Sequence, residues 1–214
     1  KPSVLVPKLK AFLAKLPAGK VPRTEASFAG PAAVGDFVEK QPREQAVVFQ
    51  AFPGAPILSP DFYVGEVADE IFSGMASRLF ERVREEKGLA YFVRSSRVSG
   101  LDAGMFSFYA GTAPEHAAEV LREIDAEIAR VQSGGVEPVE LARCQARLTA
   151  ARRQSLQTNA SRAMQAGLNA LYGLPLNDWK NYDARIQAVT REHLAEFARR
   201  HFQRDRRIQL VVQP

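Results

Sequence analysis

The eighteen residues GMASRLFERVREEKGLAY run from Gly74 to Tyr91 and change periodicity part-way. Leu79, Phe80 and Val83 fall on one side of a helix over Ala76 to Lys87, and Gly88 is a natural helix C-cap. The residues after it read as a strand that begins near Tyr91. The segment therefore predicts a glycine turn, an amphipathic helix, a second glycine stop and a strand.

Working outward, AYFVRSSRVS over 90–99 and AGMFSFYAGT over 103–112 are separated by Gly100, Leu101 and Asp102, which makes an antiparallel hairpin. Thr112 or Pro114 opens a helix to about Gln132, with Val120, Ile124 and Ile128 at four-residue spacing. Pro138 starts a long helical pattern to about Leu171, with a bend expected at Asn159 and Ser161. Helices capped by Asn177 and Thr190 follow, and RRIQLVVQ closes the chain as a strand. Upstream, Asp61 caps a helix through Phe72, QAVVFQAF over 45–52 is a buried strand, and 17–43 reads as an extended connection with no strongly signalled strand. Leu5, Leu9, Phe12, Leu13 and Leu16 mark a short amphipathic helix over 4–16. This order predicts an α+β fold, a mainly antiparallel sheet with helices packed on one face, and one domain over residues 1–214.

The 214 residues are 46% hydrophobic, enough for a substantial core, and 29 Lys and Arg against 24 Asp and Glu leave a formal charge of +5. No apolar run is long enough for a membrane-spanning helix, and the opening KPSVLVPKLKAFLAKLP is too interrupted for a signal peptide. The chain does not begin with Met, so its compartment stays open between bacterial periplasm and cytoplasm. The single cysteine, Cys144, reads as a small buried side chain.

The common catalytic templates are absent. His116, His193 and His201 lie in no HxxEH, HExxH or CxxC context, so no metal site and no cofactor is expected in this chain. No nucleophile elbow, dinucleotide turn or phosphate loop occurs. Arg143, Arg147, Arg152, Arg153 and Arg162 crowd the long helix, but without interleaved aromatics they read as a solvated face and not as a nucleic-acid surface.

Arg84 and Tyr91 remain as candidates. One sits in the last turns of the helix and the other enters the strand, so the connection can bring a guanidinium and a phenol, donors both, to one place. Such a pair suits a peptide carbonyl or a developing oxyanion. A plainer account also holds: Arg84 pairs with Glu81 or Glu85 at the surface, and Tyr91 packs in the sheet.

The stretch SRLFERVREEKGLAY, preceded by EQAVVFQAFPGAPILSPDFYVGEVADEIFSG and followed at the chain's end by LVVQP, resembles the C-terminal halves of pitrilysin-type, or insulinase-family, zinc metallopeptidases. The likeness covers almost the whole chain, although the family's glycine-rich turn is reduced here to Gly74. The resemblance implies a zinc-free half that holds peptide substrate and is inactive alone. Zinc would reside in a partner, either a zinc-bearing N-terminal half with an HxxEH motif or a separate homologous subunit. It also implies that Arg84 and Tyr91 hydrogen-bond the substrate backbone or the transition state. The alternative is a non-catalytic scaffold homologue in a protein complex.

Overall fold

The computed structural model describes residues 1–19, 28–74 and 76–214. Five strands form one sheet: β1 (Gly35–Lys40), β2 (Ala46–Gly54), β3 (Ala90–Ser99), β4 (Gly104–Thr112) and β5 (Ile208–Gln213), in the order β1-β5-β2-β4-β3. The apolar run read at 45–52 is the central strand. β2 pairs antiparallel with β4 from Ala46↔Thr112 to Gly54↔Gly104, and with β5 from Val47↔Val212 to Ala51↔Ile208. β3 and β4 form the expected hairpin.

β1 is an addition to the sequence reading, lying within the predicted connection, of which 20–27 fall outside the described residues. It pairs in parallel with β5 at the sheet edge, and nearly all its residues are exposed. An edge strand of this kind, carrying Asp36, Glu39 and Lys40, has no buried face to print a period in the sequence. Arg207 secures it by donating to Asp36 across 2.9 Å.

Val48, Gln50 and Phe52 of β2 share one sheet face with Phe106, Phe108 and Ala110 of β4, and all six are buried. Three helices cover this face: α2 (Phe62–Phe72), α3 (Ala117–Gln132) and, near the chain's end, α7 (Arg191–His201). Phe72 meets Phe108 edge-on at 5.0 Å between ring centroids, and Phe106 meets Phe202 at 4.8 Å. Each fully buried Phe of this cluster contributes about 2–3 kcal/mol through burial alone. Gln50 is tolerated among them because its amide donates to Asp125 at 3.1 Å and Gln209 at 3.0 Å.

The long helical pattern resolves into α4 (Pro138–Ser155) and α5 (Asn159–Leu171). The predicted bend is a full break, where Thr158 accepts a hydrogen bond from the Ser161 amide and caps α5. α6 (Tyr182–Gln187) follows a 3-10 turn over Asp178–Asn181, and Asn177 makes no side-chain capping bond there. Thr190 caps α7 as expected. The first helix, α1 (Pro2–Leu13), exposes every one of its residues. Among the described residues no helix is long and apolar enough to cross a membrane.

Candidate functional site

Arg84 lies in a π-helix, Phe80–Glu86, where the sequence predicted an ordinary α-helix. A π-turn inserts an extra residue into the helical ladder, costs hydrogen-bond geometry, and concentrates at functional sites. Val83 within it and Leu79 at its N-cap are both fully buried. The turn ends at Gly88, whose φ of +62° is left-handed, and the Leu89 amide then donates to the Val83 carbonyl at 2.9 Å.

Two residues later the strand carries a second irregularity. Ala90 pairs with Thr112 and Phe92 with Gly111, so Tyr91 has no counterpart on β4 and forms a β-bulge. Burial shows the consequence. Ala90 and Val93 face the helices, while Tyr91 is 60% exposed and Phe92 half-buried, both off the helix-covered face. Sequence alternation alone would set Tyr91 and Arg94 on opposite faces. The bulge removes that opposition.

A cavity of about 250 Å³ opens between the π-helix, the Ser73-Gly74 turn and β3, lined by Ser73, Gly74, Phe80, Arg84, Phe92, Val93 and Arg94. Gly74 holds φ +105° at its rim, a conformation open to glycine, with the Arg147 guanidinium 3.1 Å from where a Cβ would sit. Arg84 places its guanidinium carbon 4.9 Å from the Phe80 ring centre, and Arg94 lies 5.6 Å from that of Tyr109. The surface ion pair of the plainer reading is present only as a long contact, with Arg84 Nε 3.9 Å from Glu85. Arg84 therefore lines the cavity, whereas Tyr91 stands beside it on the bulge and is not part of its lining. Phe80, Phe92 and Arg94 were missed by the sequence reading. The signal that could have found Arg94 is its position three residues after Tyr91, which becomes informative only once the bulge is known.

The remaining candidates are dispersed. His201 stacks on Phe197 and reaches Asp61 and the Pro53 carbonyl, each at 3.0 Å. His193 accepts from the Thr190 amide in a helix cap, and His116 ends the 3-10 turn before α3. Among the described residues no group of three His, Cys, Asp or Glu could hold a metal ion. The arginines of α4 serve the fold: Arg147 pairs with Glu70 at 2.9 Å and Arg153 with Asp183 at 2.6 Å. Cys144 is buried, and burial pushes its thiol up to about 11.

Residues 1–148 match the family model described as the peptidase M16 inactive domain, and the chain belongs to that family. It is similar to the uncharacterized zinc protease YmxG of Bacillus subtilis, with 30% identity over 179 residues, 82% of this chain and 43% of the relative. An uncharacterized zinc protease of Streptomyces coelicolor is 31% identical over 157 residues, 73% of this chain and 34% of that protein. The chain thus spans less than half the length of these curated relatives. Among solved structures, a peptidase M16 inactive domain from Pseudomonas fluorescens superposes with a TM-score of 0.88 at 23% identity, over the whole of this chain and 51% of that one. The resemblance read around Ser77–Tyr91 and the α+β expectation both hold.

Proposed function

We propose that residues 1–214 act as one domain, the substrate-holding half of a zinc-dependent endopeptidase whose metal is carried by a second, HxxEH-bearing half or subunit. Arg84 and Tyr91 donate hydrogen bonds to the peptide backbone or to the oxyanion that forms on it. The observation that carries this reading is the coincidence of two backbone irregularities, the π-helix under Arg84 and the bulge at Tyr91, on either side of Gly88. Each costs regular hydrogen bonding, and such strain persists where it aims a side chain. The names of the relatives as zinc proteases support the peptidase part of the reading.

The test is turnover of a quenched fluorescent peptide by this chain together with its zinc-bearing half or subunit, the chain carrying Arg84→Ala or Tyr91→Phe. Each removes a donor most useful in the transition state, so turnover falls about 100-fold to 1000-fold while the melting temperature holds. Wild-type turnover in both variants would return Arg84 and Tyr91 to surface pairing and sheet packing, and no turnover even in the unsubstituted protein would favour the scaffold alternative.

A further inference from the structure

Most arginines that this fold buries or half-buries are matched with carboxylates. Arg78 meets Glu127 and Glu140, Arg97 meets Glu66, Arg147 meets Glu70, and Arg185 meets Asp178. The two that line the cavity beside the Ser73-Gly74 turn are exposed, and neither has a close carboxylate. Arg84 has only the long 3.9 Å contact with Glu85, and among the described residues no carboxylate lies within ion-pair distance of Arg94. No acidic residue is among those lining the cavity. Two like charges thus line one recess beside two phenyl rings, Phe80 and Phe92, with Glu85 at 3.9 Å from Arg84 the one counter-ion among the described residues. Solvent screens much of the repulsion between two exposed arginines, and a ligand carboxylate seated in the recess would accept from their guanidinium forks.

We propose that this cavity binds a carboxylate of the peptide substrate, with Arg94 setting the specificity. The proposal rests on the peptidase reading and adds to it the substrate class. Arg84, in the irregular turn, is shared between the backbone and this group. Arg94 projects from the strand opposite Tyr109 and addresses the carboxylate. The cavity volume of about 250 Å³ fits one side chain and not a folded segment. Two sources present the same chemistry: an aspartate or glutamate side chain beside the cleaved bond, or the free C-terminus of a short peptide.

The experiment uses the full-length protein and fluorescent peptides that differ only in carrying Glu, Gln or Lys, scanned one position at a time across the cleaved bond, each with a free or an amidated C-terminus. Affinity is measured first on zinc-depleted protein by anisotropy, so that binding is read without turnover. The expected result is about fivefold tighter binding of Glu than Gln at one position, the size of a partly solvated ion pair. Arg94→Gln brings the Glu-to-Gln ratio to about one, and Arg94→Glu turns the preference toward Lys. If amidation, and not the Glu-to-Gln change, removes the preference in an Arg94-dependent way, the carboxylate bound is the peptide's C-terminus. Equal binding of every peptide, or a Glu preference that survives Arg94→Glu, overturns the proposal. Turnover of the Arg84 and Tyr91 variants is a separate readout, so the peptidase reading and the carboxylate site can fail independently.

Discussion

Phe92 lies across Gly111 of the neighbouring strand so closely that a Cβ on Gly111 would come within 2.8 Å of the ring's Cζ and nearer still to Cε1. The two residues are register partners, Phe92 being the first paired residue after the Tyr91 bulge. The missing side chain on β4 lets the ring lie down on the sheet, and the same ring forms one wall of the arginine cavity. Backbone irregularity, glycine and cavity wall are parts of one local arrangement.

Replacing Gly111 with alanine forces the Phe92 ring to lift or β3 to shift. Such overpacking costs about 1–3 kcal/mol. For a chain of this size the melting temperature then falls by roughly 3–10 °C. The displaced ring deforms the cavity, so under the proposed function peptide binding would weaken as well. Gly167 in α5 is the control, because nothing lies within 4 Å of a Cβ there. Gly167→Ala raises stability by about 0.5–1 kcal/mol through helix propensity. Calorimetry of the two variants gives the comparison, and a Gly111→Ala protein that melts like wild type would show that the ring contact carries no constraint.

Much of the architecture was legible because buried elements print their period on the sequence. The central strand at 45–52, the hairpin over 90–112 and the helix ending near Gln132 each alternate or repeat against a covered face; the strands appear within a residue or two of their reading, and the helix ends as read but begins at Ala117, after a 3-10 turn over Pro114–His116. β1 was illegible because it is solvated on nearly every residue and its partner Ile208–Gln213 lies at the other end of the chain. The candidate cavity was legible only in Arg84, and its other lining residues Phe80, Phe92 and Arg94 were not singled out. Residue type and the Gly88 stop singled out Arg84 and Tyr91, but the π-turn and the bulge are set by tertiary packing around Val83 and Gly111. No local pattern announces them, and Arg94 could not be assigned to the same face without them.

The chain lacks a zinc site among its described residues, and its three histidines serve a cap, a helix end and a tertiary contact. Residues 1–214 produced alone and dialysed against a metal-free buffer are expected to retain no stoichiometric zinc and to cleave no peptide. Elemental analysis is the measurement. One tightly held zinc per chain would require a ligand set that the geometry does not provide.

Cys144 faces the core of the helix layer, and loss of hydration on ionising it raises its thiol to about 11. At pH 8 the thiolate is then a fraction of about one in a thousand, and the thiolate is the reactive form. Ellman's reagent should label the native protein at least about 100-fold more slowly than the urea-unfolded chain. A native rate close to the unfolded one would mean that the helix layer opens readily around α4.

Asp61 sits at the entrance to α2, where its side chain makes no capping bond to the helix and turns instead toward the end of α7. There its carboxylate accepts from His201 Nε2 at 3.0 Å and from Arg200 at 2.9 Å, while His201 Nδ1 meets the carbonyl of Pro53 at the end of β2. One imidazole thus links the last helix to the central strand and to the start of α2, across 140 residues of sequence. Asp61 and His201 are mostly buried but Arg200 is half-exposed, so the linkage lies between a solvated ion pair and a buried one. Asp61→Ala should cost about 1–3 kcal/mol, above the range of an exposed pair and below that of a fully buried one. Arg200→Ala alone should cost under about 1 kcal/mol, because water replaces its contact. A double-mutant cycle of Asp61→Ala with His201→Ala isolates the pair, and a coupling of about 1 kcal/mol or more is expected from denaturant melts. Coupling below about 0.3 kcal/mol would show that Phe197 stacking, and not the carboxylate, holds His201 in place.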